Sequence, residues 1–115
     1  MKKATRLKSK REFETVFSEG RAWANSFVVL KSVPNSVGVN RYGIVAGRRL
    51  GNAVLRNRVK RRLRAIVSNI VAREGWDVVL VARKPATETD YHTLESAARD
   101  LFARARLLGE DERAE

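Results

Sequence analysis

Arg56, Asn57, Arg58, Lys60, Arg61 and Arg64 crowd one short stretch of the chain, with Arg48 and Arg49 just ahead of it. A guanidinium is a planar fork that can hold two phosphate oxygens at once or lie flat on a base, so arginine-rich spacing of this kind points to nucleic-acid chemistry. Hydrolytic chemistry would need other residues. General acid–base cleavage of RNA wants paired histidines, or a histidine with a positioned lysine or carboxylate, and two-metal hydrolysis wants clustered acids. The chain has one histidine, His92, which reads as a surface residue, and no cysteine. Its acids suit helix capping and solubility. We therefore expect no catalytic residue, no metal site in the protein alone and no disulfide framework.

The net charge of +11 is unevenly spread. Residues 1–19 carry six Lys/Arg against three Asp/Glu, residues 20–73 twelve against none, and residues 74–115 six against ten. No local carboxylate can neutralise the middle stretch, and a phosphate polymer would. Other readings are a solubilising basic face, arginines paired with distant carboxylates, or a membrane-surface helix. The last conflicts with the need for an apolar helix face to cover a sheet. RNA and DNA satisfy the charge equally. No segment approaches the roughly 18 apolar residues of a membrane span, and a soluble, cytoplasmic chain forming one domain over residues 1–115 is expected.

The elements that must position these cations follow from local signals. Ser9-Lys10-Arg11-Glu12 spells a capping box, and Phe13, Val16 and Phe17 form one stripe of a short helix that Gly20 ends. Residues 26–33 are rich in β-branched side chains. Pro34-Asn35-Ser36 then turns toward a second strand at residues 41–46, predicting a hairpin. After a basic, glycine-flanked loop at residues 47–51, Asn52 caps a long helix expected to reach about Ala72. On a helical wheel Leu55, Val59, Leu63, Ile66 and Ile70 fall within about 80° of one another and make the buried stripe, with Asn57, Arg58, Arg61 and Arg64 opposite. Arg56 and Arg58 sit where the macrodipole is already positive, a placement that makes sense if anions arrive from outside. Residues 77–82 are apolar throughout and suit a central strand covered on both faces. Pro85 breaks the chain, and Asp90 caps a last helix with Leu94, Ala97, Ala98, Leu101 and Ala105 on its apolar face. Residues 109–115 read as a frayed acidic tail. The order is helix, strand, strand, long helix, strand, helix, an α+β sandwich.

The stretch Gly51-Asn52-Ala53-Val54-Leu55-Arg56-Asn57-Arg58-Val59-Lys60-Arg61 closely resembles the signature of the bacterial ribonuclease P protein subunit, which assists a catalytic RNA in trimming precursor tRNA. The resemblance continues in Arg6-Leu7, the Phe13 and Phe17 pair, Ala24-Asn25, Ala82-Arg83-Lys84-Pro85-Ala86 and Asp90-Tyr91, spanning residues 4 to about 108. It implies an α-β-β-α-β-α fold whose β-α-β crossover is left-handed, against a general right-handed rule near 98%. It implies that Arg56, Asn57, Arg58, Lys60, Arg61 and Arg64 dock the catalytic RNA, with Arg48, Arg49 and the cap Asn52 on the same surface.

A second implied surface is a cleft between the first helix and the sheet that holds the single-stranded 5′ leader of precursor tRNA. Phe13 and Phe17 match its aromatic positions, although from sequence alone both rings also read as ordinary core. Alternation puts Phe27, Val29 and Lys31 on one strand face and Val28, Leu30 and Ser32 on the other, which makes Val29 and Lys31 the cleft residues. Lys31 stands where the family often has an aromatic residue, and Gly47 where a serine is common. The implied partners are the catalytic RNA and precursor tRNA, with no further protein required. Mg²⁺ needed by the holoenzyme is expected on RNA phosphates. A structural RNA-binding protein of ribosomal type and a DNA-binding architectural protein are the competing classes.

Overall fold

The computed structural model describes residues 5–109. A five-stranded sheet runs in the order β1-β4-β5-β3-β2, with β1 at Thr5–Arg6, β2 at Arg21–Ala24, β3 at Val28–Pro34, β4 at Arg41–Val45 and β5 at Trp76–Ala82. Three helices flank it: α1 at Lys10–Glu19, α2 at Ala53–Ser68 and α3 at Tyr91–Arg104. The fold is the expected α+β sandwich, extended by the two edge strands β1 and β2.

Period-two alternation divides the apolar residues between two layers. Val28 and Leu30 of β3 and Val78, Leu80 and Ala82 of β5 join Val59, Leu63 and Ile66 of α2 and Leu94, Ala98, Leu101 and Phe102 of α3 in the main core. On the opposite face a smaller cluster joins Leu7, Val16 and Val79, with Phe13, Val33, Val45 and Val81 packed beside it. One helix of ten residues spans about 15 Å, whereas five strands side by side span about 24 Å, so α1 cannot cover its whole face. That shortfall leaves part of the sheet open.

The expected hairpin between residues 26–33 and 41–46 does not form. β5 lies between β3 and β4, pairing antiparallel with β3 and parallel with β4. Four of its seven residues are buried in an unbroken run, Asp77 to Leu80, so the strand is stable only with neighbours on both edges. β3 makes its hairpin with β2 instead, and the Asn25 side chain accepts from the N–H groups of Phe27 and Val28 in the turn. β4 reaches β5 through α2, a parallel β-α-β crossover.

α2 ends four residues short of the expected Ala72. Its C-cap is Asn69. Residues beyond it turn to pair with the chain after α3: Arg73 N–H donates to Leu107 O at 2.7 Å, and Gly109 N–H to Val71 O at 2.7 Å. Ile70 stays buried after the helix ends. Gly109, read as the start of a frayed tail, is thus hydrogen-bonded, and the rest of that tail lies outside the described residues.

α1 is held to the sheet by a charged link. Glu12 accepts from the Lys8 and Ser9 N–H groups through Oε1 at 2.7 and 3.2 Å, and its Oε2 meets Arg41 Nη1 at 2.9 Å. Arg41 also forks onto Asp77, which is buried and takes a further hydrogen bond from Asn35 at 2.8 Å.

Candidate nucleic-acid interface

The N-terminus of α2 is set by three local devices. Leu50, in a short 3-10 turn at Arg48–Leu50, is buried and anchors the basic loop. Gly51 has φ +132°, a conformation that L side chains rarely adopt, and a Cβ there would meet Leu55 Cδ1 at 2.8 Å. Asn52 then caps the helix, its side chain accepting from Leu55 N–H at 3.0 Å.

Around this terminus Arg48, Arg49, Asn52, Asn57, Arg61 and Arg64 are exposed, while Arg56, Arg58 and Lys60 are half-buried. The ion pairs among the described residues join Arg41 to Glu12 and Asp77, Arg99 to Glu95, and Arg104 to Asp100. None involves a cation between residues 48 and 64. Their charge adds to the positive end of the helix dipole without local compensation.

Arg58 does not lie opposite the core as the wheel suggested. One residue before the buried Val59, it is turned only about 100° from it, toward the 3-10 turn at Lys84–Thr87. There Nη2 donates to Thr87 O at 3.2 Å, and Arg62 makes the parallel bond to Thr89 O at 3.1 Å. Lys84 Nζ returns the link, donating to Leu50 O at 3.2 Å. Arg58 therefore fastens α2 to the segment leading into α3 as well as presenting charge. The Nε atoms of Arg56 and Arg58 are buried with no hydrogen-bond partner, so each guanidinium keeps donor capacity that an incoming acceptor would satisfy.

The second surface lies where α1 leaves the sheet uncovered. Val29, Val81 and Val45 are register partners on β3, β5 and β4 and form a half-exposed apolar row. Phe17 stands beside it with 41% of its surface exposed. Lys31 Nζ reaches back to Phe17, donating to its carbonyl at 3.2 Å and lying 5.1 Å from its ring centroid. Phe13 belongs elsewhere. It packs on Leu7, Val16 and Val79, with its ring over Gly43, so the two phenylalanines divide between core and surface. Sequence reasoning missed Val45 and Val81. The apolar run of β5 was read as covered on both faces, and the ten-residue length of α1 was the signal that it could not be.

His92 is exposed at the start of α3. Among the described residues there is no group of three or more His, Cys, Asp or Glu that could hold a metal ion. None of the described helices is long and apolar enough to cross a membrane.

Comparison with known proteins places these surfaces in context. Residues 1–106 match the sequence profile of a family described as Ribonuclease P. The ribonuclease P protein component of Caldanaerobacter subterraneus subsp. tengcongensis is 43% identical, over 96% of this chain and 97% of its own. That of Symbiobacterium thermophilum is 42% identical, over 94% and 96%. Among solved structures, the Staphylococcus aureus RNase P protein superposes with a TM-score of 0.82 at 28% identity, covering 93% of this chain and all of its own. The Thermotoga maritima RNase P protein gives 0.77 at 31% identity, covering 86% and 96%.

Proposed function

This chain belongs to the ribonuclease P protein family, whose members work with an RNA in tRNA processing, and from that premise we propose a division of labour between its two surfaces. The N-terminal half of α2 and the loop before it dock the catalytic RNA: Arg48, Arg49, Asn52, Arg56, Asn57, Arg58, Lys60, Arg61 and Arg64 contact phosphates or bases. Phe17, Val29 and Lys31, with the row through Val81 and Val45, receive the single-stranded 5′ leader of precursor tRNA. Phe13 supports that surface from below.

The observation that carries this reading is that every cation between residues 48 and 64 is without an ion-pair partner among the described residues, on a helix end already positive. The apolar row suits leaders of differing sequence, because every base has a face that can stack or pack. Catalysis belongs to the RNA in this scheme. Among the described residues neither surface carries an acid–base pair, and Mg²⁺ is held by RNA phosphates, which match its preference for oxygen ligands and retained water. The protein contributes by screening phosphate repulsion between two RNAs and by adding leader contacts. Its place of work is the cytoplasm, and no second protein is needed.

Reconstitution tests the proposal. Purified chain added to a catalytic ribonuclease P RNA should stimulate cleavage of precursor tRNA at low Mg²⁺, where RNA alone is slow. It should also raise affinity for precursor over mature tRNA. An RNA that gains neither rate nor discrimination would sink the assignment.

A further inference from the structure

A groove of about 270 Å³ opens at the edge of β4, lined by Thr5, Arg6, Leu7, Phe13, Tyr42, Gly43, Ile44, Arg64, Val67 and Ser68. β1 pairs only with Arg41 and Tyr42, and the last bond at that edge is Leu7 N–H to Tyr42 O at 2.9 Å. The chain then leaves for α1, so among the described residues no strand covers the edge at Gly43 and Ile44. Leu7 and Phe13 wall one side of the opening and Val67 and Ser68 of α2 the other.

Its chemistry is specific. Leu7, Phe13, Tyr42, Ile44 and Val67 make the apolar part of its lining, and two of them bring aromatic rings. Arg6 and Arg64 are both exposed, and neither has an ion-pair partner among the described residues. Among the described residues no carboxylate lines the groove. The Thr5 and Ser68 hydroxyls donate to Asn40 O at 3.2 Å and Ala65 O at 2.8 Å, which leaves their oxygens free to accept. A flat, hydrogen-bonding ring joined to an anion satisfies all of these groups, and the volume is just under the roughly 300 Å³ at which pockets for drug-sized ligands begin.

We propose that this groove takes one unstacked nucleotide of the RNA docked on α2, its base against Phe13 and Tyr42 and its phosphate between Arg6 and Arg64. The proposal rests on the docking role of α2, because Arg64 belongs to both surfaces. It differs from the leader surface, with which the groove shares only the supporting Phe13. The pocket thereby fixes the register of the RNA along α2, which phosphate contacts alone leave free to slide.

Adenosine 5′-monophosphate and ribose 5-phosphate serve as probes, followed by NMR on the full chain. The nucleotide should shift the Gly43, Ile44 and Val67 amides saturably, and ribose 5-phosphate should not. Ser68→Phe, which fills the groove, should abolish those shifts while leaving the core signals of Leu30 and Leu80 in place. Arg6→Ala, on the open rim, should weaken the nucleotide about three-fold or more and leave adenosine unaffected, as loss of one charge-assisted contact predicts. On the catalytic RNA, Ser68→Phe should cost about ten-fold in affinity, the scale of one stacked base, and lower the salt slope by no more than about 0.7–0.9, the share of the one phosphate held between Arg6 and Arg64.

Shifts that ribose 5-phosphate reproduces, or that persist in Ser68→Phe, would reduce the groove to a patch of positive charge and overturn the proposal. So would full RNA affinity in Ser68→Phe when Arg61→Ala binds weakly. Should Arg61→Ala also bind normally with an unchanged salt slope, the docking role of α2 fails with it.

Discussion

Lys31 and Phe17 form one unit across the gap between β3 and α1: the ammonium lies 5.1 Å from the ring centroid and donates to the Phe17 carbonyl at 3.2 Å. The cation is thus held beside the exposed ring by the backbone of the ring's own residue. A stacking platform becomes a ring with a charge beside it, able to meet a base and its phosphate together. Phe17→Ala should leave docking on the catalytic RNA intact but lower the preference for leader-bearing over leaderless tRNA about five- to ten-fold, the lower range for one lost base stack. Lys31→Gln should lower it less, and its deficit should shrink as salt rises. Paired binding titrations with both tRNA forms decide the matter. If Phe17→Ala melts earlier and keeps the full preference, the ring is core.

Arg61 is the cleanest probe of docking. Its side chain is exposed and takes part in no hydrogen bond or ion pair among the described residues, whereas Arg58 also braces α2 against Thr87. Arg61→Ala should reduce the slope of log affinity against log salt by about 0.7–0.9, one phosphate's share, with thermal stability unchanged. Arg58→Ala should lower both. Affinity measured across a salt series, beside melting curves, separates the two. Equal stability losses in both variants would contradict the division of roles.

The parts of this molecule legible in its sequence are those fixed by neighbours along the chain. Ser9 and Glu12 form the capping box their spacing announced, with Glu12 N–H donating to Ser9 Oγ at 3.1 Å. Asn52 and Asp90 cap α2 and α3 as read. Partners distant in sequence were not legible. Nothing in Arg21-Ala22-Trp23-Ala24 marks a strand, since one aromatic residue among alanines carries little β preference, and β3 supplies the pairing that makes it one. The unbroken apolar run of β5 did mark it as a central strand, and it lies third of five, but which strands flank it was not legible. For the interface, the helical wheel placed Asn57, Arg61 and Arg64 on the exposed side of α2, where the structure has them, but not Arg58, which turns toward Thr87. Whether Phe13 or Phe17 faced outward depended on Gly43, thirty residues from Phe13.

Gly43 is that position's decisive neighbour. A Cβ built on it would stand 2.4 and 2.5 Å from two Phe13 ring carbons, closer than any real contact. Gly43→Ala must therefore displace the Phe13 ring, and we expect α1 to shift with it, at a cost of about 1–3 kcal/mol, the usual range for overpacking. Urea unfolding should register that loss. Because α1 carries Phe17, leader preference should fall in the same variant, while the α2 salt slope stays at the wild-type value. A variant as stable as wild type would mean that the ring moves aside freely and does not set the position of α1.

Acid should release α1 before it unfolds the sheet. The Lys8 and Ser9 amides, with Arg41 beyond them, hold the Glu12 carboxyl below its ordinary value of 4.5. A carboxylate with a lowered folded-state pKa contributes stability that is fully present above its unfolded value and disappears as pH falls through the folded one. Asp90, lowered chiefly by the Thr93 amide, acts the same way at the start of α3. Glu12→Gln removes the titrating group and keeps one amide oxygen for the cap. At pH 7 the variant should be less stable than wild type, and the difference should close as pH drops below about 4.5 and wild-type Glu12 takes up its proton. Denaturation curves at neutral pH and near pH 3 test the sign. Curves that stay equally separated at both values would show that Glu12 stabilises α1 by packing alone, and that its charge does not link α1 to Arg41.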